Sequence, residues 1–332
     1  MNLTPDFISK EELIEKIEKD MNQTALVYAI LVCAALIASI GLNYNSTSTV
    51  IGAMLISPLM SGISGIGFGL GMFRLEMVKK GALIFLLQFV IILGISFLFF
   101  SLTPIKEHTP EIASRTSATI WDIFIALLGG TALALSKSRA KDNNVVVGVS
   151  IGTSLILPLC VTGYGLANGD FTTAWDSVKL FLINIFLICF ALFVVIWLLK
   201  YEEFEKQRLQ RFLLWIVPFL LVGGFFIYTT VESTVVEYRA KQFSEEVLAD
   251  YYVLEQNILD SPQTIQLSLV GADLTDQEMS ELQQRLLSYH LEDYQLQIET
   301  YSSREDGSLD ASVLAEILNK QNQGTSKFLG LD

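Results

Sequence analysis

Charged residues are scarce in this sequence of 332 residues, since only 17% are Asp, Glu, Lys or Arg whereas 52% are hydrophobic. The deficit is concentrated in long blocks, and the stretch 82–101 carries no charge at all. A water-soluble chain of this length needs a charged surface, so the composition excludes a wholly soluble protein. Blocks of this length and polarity are typical of helices that span a lipid bilayer.

Cysteine and histidine are also rare. The three cysteines, Cys33, Cys160 and Cys189, lie in apolar segments, so the polar C-terminal region contains no disulfide framework or cysteine zinc site. The histidines, His108 and His290, lie in a loop and in that C-terminal region, and a membrane-buried serine nucleophile would lack its base. We therefore expect no enzyme, with no catalytic residue, no metal and no cofactor.

The acidity of the chain belongs to its C-terminal region. The formal net charge is -13, and residues 231–332 carry 6 Lys or Arg against 19 Asp or Glu. The other 230 residues carry 16 of each sign, so the membrane part is neutral overall. A strongly acidic region does not suit nucleic acid, and we expect no nucleic-acid partner.

About seven nearly uncharged stretches predict helical membrane spans, at residues 24–43, 47–72, 81–102, 119–136, 145–168, 179–199 and 211–230. Basic residues concentrate in alternate connections, which by the positive-inside rule places the N-terminus in the cytoplasm. Seven crossings make a multi-pass protein of the plasma (cytoplasmic or inner) membrane with an extracytoplasmic C-terminal domain. An even number of crossings would leave that domain in the cytoplasm.

The two halves of the membrane part repeat each other at an offset of 100 residues. Residues 51–59 (IGAMLISPL) and 151–159 (IGTSLILPL) agree at six of nine positions. The pairs Asn43/Asn143, Gly65/Gly165 and Gly69/Gly169 agree at the same offset. Each half contains three spans, and an odd number reverses the polarity of the second copy. We predict two inverted three-helix repeats plus one extra helix.

One proline lies near the middle of the second span in each half. A proline inside a helix lacks an N–H and crowds the carbonyl four residues earlier, so we predict that both second helices are broken. Irregular backbone at that depth is tolerated only inside the protein or beside a polar path. The candidate lining of a solute path is Gly52, Ser57, Pro58, Ser61, Gly152, Thr153, Ser154, Pro158 and Thr162. The glycines after each proline favour either this path or close helix packing.

Polar residues near the ends of the spans are candidates for a gate or an ion pair. Arg115 and Asp122 are seven residues apart and would share one helical face, although Thr119 and Asp122 also have the spacing of a capping box. Asn43 and Asn143 precede the two proline-containing spans, where they would either cap the helices or form a gate.

The acidic region predicts a small soluble α/β domain. Its expected elements are a helix at 233–259, a strand at 264–270, a helix at 276–290, a strand at 294–301 and a helix at 309–320. Both strands alternate polar and apolar residues, and Thr275 with Glu278 has capping-box spacing. A two-stranded sheet leaves edges open, so we expect a homo-oligomer or a protein partner for this domain.

These features divide the chain into six parts. They are an amphipathic N-terminal helix (1–23), a first membrane repeat (24–102), an external loop (103–118), a second membrane repeat (119–200), a linker with the seventh span (201–230) and the acidic α/β domain (231–332).

The sequence resembles a family of bacterial and archaeal hydrophobic membrane proteins known as domain of unknown function 389. The resemblance covers roughly residues 10–200 and rests on four stretches: IASIGL at 37–42, VIGAMLISPLM at 50–60, SRTS at 114–117 with Asp122, and LPL at 157–159. Family members often carry proline at the end of the second stretch, where this chain has Ser61-Gly62. The resemblance implies a membrane-embedded architecture and no assigned activity.

Two functions of different classes remain open. Inverted repeats with broken helices are typical of a transporter or pore for a small solute or ion, and the sequence does not choose between an anion, a cation and a neutral solute. The alternative is a membrane-anchored assembly or sensory platform whose C-terminal domain binds a partner. The lipid bilayer is a partner in both cases.

Overall fold

The computed structural model describes residues 7–104, 106–140, 144–199, 206–248, 251–260, 263–271 and 274–302. For residues 144–154, for most residues from 206 to 223 and for parts of the strands, it describes the backbone alone. The chain divides into two compact units, Met1–Val231 and Glu232–Asp332.

The first unit is helical. Its helices are α1 (Lys10–Asp20), α2 (Ala25–Asn43), α3 (Thr47–Ile56), α4 (Met60–Gly71), α5 (Leu75–Leu102), α6 (Pro110–Ala113), α7 (Ile120–Lys137), α8 (Asn144–Asn168), α9 (Phe171–Leu198) and α10 (Lys206–Val247), and the boundary between the units falls within α10.

Several of these helices are apolar and long enough to cross a membrane. Among the described residues, α2, α5, α7 and α9 qualify, and the bent pair α3 and α4 makes a fifth if it counts as one span. The 28 residues of α5 extend about 42 Å, which exceeds the hydrocarbon thickness of a bilayer. Large apolar side chains such as Leu83, which is 69% exposed, cover the outside of α5. This is a membrane protein.

The helical bundle has two distinct polar ends. At one end, α1 contacts the C-terminus of α7, where Lys137 Nζ lies 2.7 Å from Asp20 Oδ2 and Lys16 Nζ donates to the Arg139 carbonyl at 2.9 Å. At the other end, the Thr109 hydroxyl donates to the Leu42 carbonyl at 2.7 Å. The helices between these ends therefore run through the apolar layer of the bundle.

The helix contacts come in matching pairs. In the first half α2 packs against α3 and α5, and in the second half α7 packs against α8 and α9. Likewise α4 packs against α5, and α8 packs against α9. Between the halves, α5 packs against α8 while α9 packs against α4.

Glycines on both helices let α4 and α5 cross at short range. A Cβ on Gly81 would lie 2.8 Å from the Gly62 carbonyl oxygen and 2.8 Å from the Ile66 nitrogen, and both of these atoms belong to the backbone. A Cβ on Gly62 would lie 2.8 Å from Phe85 Cβ. Small residues of this kind let two backbones approach closely within a membrane. The glycines after Pro58 thus serve tight packing, one of the two roles predicted for them.

The second unit contains a three-stranded sheet in the order β1-β2-β3, formed by β1 (Tyr252–Asp260), β2 (Gln263–Gly271) and β3 (Gln295–Ser302). Strands β1 and β2 are antiparallel, whereas β2 and β3 are parallel and are connected through α11 (Asp276–Arg285) and a 3-10 turn (Leu286–Tyr289). The buried side chains of this unit include Phe243, Ile265, Leu267, Leu269 and Leu286.

The predicted long helix at 233–259 is wrong in its second part. The helix ends at Val247, and residues 252–260 form β1, which pairs with β2. Pairing with a neighbouring strand overrides local propensity, and it turns the expected two-stranded sheet into a three-stranded one. The capping box at α11 is confirmed, because Thr275 N donates to Glu278 Oε2 at 2.8 Å and Glu278 N donates to Thr275 Oγ1 at 3.4 Å. The predicted helix at 309–320 lies outside the described residues.

Candidate functional site at the helix break

The second apolar segment of the first half is broken. Helix α3 ends at Ile56, Ser57 is extended with ψ 123°, and α4 begins at Met60 with its axis bent by 59° from α3. The residue before a proline avoids the helical region, which explains the conformation of Ser57. The break at Pro58 is confirmed.

Two glutamine side chains converge on this break. Gln88, from the middle of α5, is fully buried, and its Nε2 donates to the Pro58 carbonyl at 3.1 Å and to Ser61 Oγ at 3.3 Å. Gln23, which precedes α2, donates from Nε2 to Ser61 Oγ at 3.0 Å and to the Asp20 carbonyl at 2.9 Å. Ser61 Oγ donates in turn to the Pro58 carbonyl at 3.4 Å.

Three oxygen atoms in this cluster remain available. Gln23 Oε1, Gln88 Oε1 and Ser57 Oγ are buried and accept no hydrogen bond from any residue that the structure describes. The orientation of each amide is determined by its partner, because a backbone carbonyl cannot donate a hydrogen bond and must therefore face the amide nitrogen rather than the amide oxygen. A buried polar atom without a partner costs about 1–3 kcal/mol, so these oxygens mark the break as a candidate binding site.

The break lies in a segment of the chain that is similar to a known sequence family. Residues 54–190 match the family described as a domain of unknown function, DUF389. The resemblance predicted from the sequence is thus confirmed. The uncharacterized protein MJ0678 of Methanocaldococcus jannaschii is 25% identical over 234 residues, which cover 68% of this chain and 72% of that protein. No solved structure matches the chain at a significant level.

Pro158, the counterpart of Pro58 in the second half, does not break its helix, contrary to prediction. Helix α8 runs from Asn144 to Asn168 with Pro158 inside it. The physical reason lies in the surroundings, because the positions equivalent to Gln23, Ser61 and Gln88 at the offset of 100 are Ile123, Val161 and Ile188. No side chain at these three positions can bind the polar backbone groups that a break would free, so an intact helix costs less than a broken one.

The other predicted lining residues contribute less to a site. Thr162 is buried, but its hydroxyl donates to the carbonyl of Pro158 in its own helix at 2.8 Å. A Cβ on Gly52 would meet nothing within 4 Å, so this glycine is not in a tight contact. Gly152, Thr153 and Ser154 lie in α8, where the structure describes only their backbone. Their role in lining a path therefore stays a prediction.

Asn43 does not cap the proline-containing span of the first half, contrary to the capping prediction. Asn43 is the last residue of α2, and its Nδ2 donates to Thr103 Oγ1 at 3.4 Å. Ser46 caps α3 instead, because its Oγ accepts from Thr49 N at 3.4 Å. Asn143 lies outside the described residues. A gate at Asn43 and Asn143 remains a prediction.

Arg115 and Asp122 do not form an ion pair among the described contacts. Asp122 belongs to the capping box of α7, where Thr119 N donates to Asp122 Oδ2 at 2.8 Å and Asp122 N donates to Thr119 Oγ1 at 3.4 Å. Helix α7 begins at Ile120, so Arg115 precedes the helix and does not share its face. The capping interpretation is confirmed.

A second polar group lies where α8 ends and α9 begins. Asp170 caps α9 by accepting from Thr173 N at 3.0 Å, and His108 Nε2 lies 3.5 Å from the Thr173 hydroxyl. Hydrogen bonds from the Thr173 side chain and N–H, together with the charge of His108, hold the pKa of Asp170 below its ordinary value. These contacts are those of a helix cap, and they tie the 106–109 loop to α9.

Sequence reasoning missed Gln23 and Gln88. Gln88 is the only amide side chain in the uncharged stretch 82–101, which is a usable signal, because an isolated polar residue inside a membrane span usually faces the protein interior. Gln23 carries no such signal, since it lies in a polar stretch before the first span.

Proposed function

We propose that this membrane protein moves a small polar solute or ion across the bilayer at the break between α3 and α4. The observation that carries the proposal is the cluster of buried Gln88 with half-buried Gln23 and Ser61 around the Pro58 carbonyl. Irregular backbone within a membrane is tolerated only where it is buried in protein or lines a water-filled path, and transporters bind their solutes at broken helices of this kind. One break, rather than two, forms the proposed site.

We also propose that the membrane part has seven spans, arranged as two inverted three-helix repeats and an extra helix. The matching contacts of α2, α3 with α4, and α5 with those of α7, α8 and α9 support this arrangement. The end of the bundle that carries Lys16, Lys137 and Arg139 is rich in basic residues, so we place it and the N-terminus in the cytoplasm. Seven crossings put the acidic domain outside the inner membrane.

Protease treatment of spheroplasts tests this orientation. We expect protease added outside to cleave the domain at 231–332 while the membrane remains intact. The control is a cytoplasmic reporter protein, which should be cleaved only after lysis. Cleavage of the domain only after lysis would contradict seven crossings and would favour an even number.

Flux through the purified protein tests the proposed function. In proteoliposomes, we expect the wild-type protein to carry at least one member of a panel of ions and small polar metabolites. Gln88→Leu should lower that flux about tenfold or more, because it removes both hydrogen bonds of Gln88 and leaves the Pro58 carbonyl short of a donor.

The matched control is Ser101→Ala on the same helix, since among the described residues the exposed Ser101 hydroxyl bonds only to the Phe97 carbonyl within α5. It should carry solute at the wild-type rate. The proposal is overturned if wild-type protein carries nothing from the panel, or if Gln88→Leu carries solute as fast as Ser101→Ala.

A further inference from the structure

The polar cluster at the break offers hydrogen-bond acceptors rather than donors. Every N–H of the Gln23 and Gln88 amides is directed at an oxygen: the Asp20 carbonyl, the Pro58 carbonyl or Ser61 Oγ. The Ser61 hydroxyl proton is directed at the Pro58 carbonyl. The side chains that converge on the break therefore have no donor left for an anion, apart from the hydroxyl of Ser57.

Two of the remaining acceptors belong to amides that share a partner. The Nε2 atoms of Gln23 and Gln88 both contact Ser61 Oγ, at 3.0 Å and 3.3 Å, and the Oε1 of each side chain is bonded to the same carbon as that nitrogen. Gln88 Oε1 belongs to a fully buried side chain, and Ser57 Oγ is buried at the preceding turn of the break. Oxygen atoms of amides and hydroxyls are ligands for hard cations.

The charge of the cluster limits the cation that it suits. Its side chains are neutral, and the carboxylate of Asp20, which is the nearest acid in these contacts, is paired with Lys137 at 2.7 Å. Among the described residues no group of three or more His, Cys, Asp or Glu side chains could hold a metal ion. A divalent cation normally requires carboxylates to offset its dehydration, whereas a monovalent cation does not.

We propose that the break between α3 and α4 binds a small monovalent cation, metal or ammonium, through Gln23 Oε1, Gln88 Oε1 and Ser57 Oγ. The inference rests on the proposed function, which makes this site the place where solute is bound. It names a cation as the class of solute, which the sequence leaves open. One feature of the break would favour an anion instead, because the first N–H groups of α4 have no side-chain cap. The fully buried, unpartnered oxygen of Gln88 decides between the two.

Thermal unfolding of the purified full-length protein in detergent tests this inference. The probes are the chlorides of Na⁺, K⁺ and NH₄⁺, compared with choline chloride at the same ionic strength. We expect at least one small cation to raise Tm saturably, on the order of 5 °C at a concentration about 100-fold above its Kd. Exchanging chloride for nitrate should leave that rise unchanged.

Variants assign the effect to the site. Gln88→Leu should abolish the cation-dependent rise in Tm, and Ser101→Ala should retain it in full. Gln23→Met is a second variant, at a half-buried position, for the case that Gln88→Leu does not fold. It should reduce the cation-dependent rise in Tm. The inference is overturned if Tm is equal in all four chlorides or if it changes with the anion. It is also overturned if Gln88→Leu and Gln23→Met show the same cation-dependent rise in Tm as the wild-type protein.

The binding and transport outcomes are distinguishable. Cation-dependent stabilisation without flux in proteoliposomes would support the cation site and overturn the transport proposal. Flux of a neutral solute or an anion by wild-type protein, with no cation effect on Tm, would retain transport and overturn the cation site.

Discussion

Gly81→Leu should prevent the first half of the bundle from packing. Position 81 lies against the backbone of α4, and even a Cβ there would come within 2.8 Å of three backbone atoms, at Gly62, Gly65 and Ile66. Backbone cannot give way as a flexible side chain does, so we expect a loss of about 3 kcal/mol or more in the free energy of unfolding. Fluorescence-detected size exclusion and thermal unfolding in detergent would measure it.

Gly94→Leu is the matched control, because Gly94 lies on the same helix, is exposed, and has open space within 4 Å of the position that a Cβ would take. Leucine has the higher helix propensity, by about 1 kcal/mol, so this control should fold at least as well as wild type. Equal Tm values for Gly81→Leu and Gly94→Leu would show that α4 and α5 do not cross at Gly62 and Gly81.

Lys137→Met should weaken the attachment of α1 to the end of α7. The Lys137 side chain is only 6% exposed and its Nζ lies 2.7 Å from Asp20 Oδ2, so its loss leaves a partly buried carboxylate without that partner. Removing one partner of a buried ion pair costs about 3–5 kcal/mol, but Asp20 is 33% exposed and water recovers part of this. We expect a decrease of about 1–3 kcal/mol in stability, measured as a lower Tm.

Lys79→Met is the control for this variant, since Lys79 is an exposed lysine near the start of α5. It should change Tm little, as expected for a surface charge. The double variant Asp20→Asn with Lys137→Met should recover part of the loss, because it removes the unpaired charge. A single Lys137→Met variant as stable as Lys79→Met would contradict the contact between α1 and α7.

Much of the candidate site could be anticipated from local sequence. Pro58 marks the break, and Ser57 and Ser61 flank it within three residues, so all three were among the predicted lining. The amides that complete the site could not be anticipated in the same way. Gln88 lies 30 residues further along the chain, and its contact with the Pro58 carbonyl depends on how α5 packs against α4.

The sequence by itself determined the features that depend on neighbouring residues or on transfer into lipid. Apolar blocks such as 81–102 and 179–199 became parts of long helices, and the capping boxes at Thr119 and Thr275 formed as their spacing predicts. The tertiary structure alone decided which of the two prolines breaks its helix. The cost of freeing backbone groups is similar at Pro58 and Pro158, but only the first has Gln88 packed beside it to bind them, whereas the second has Ile188 at the equivalent position.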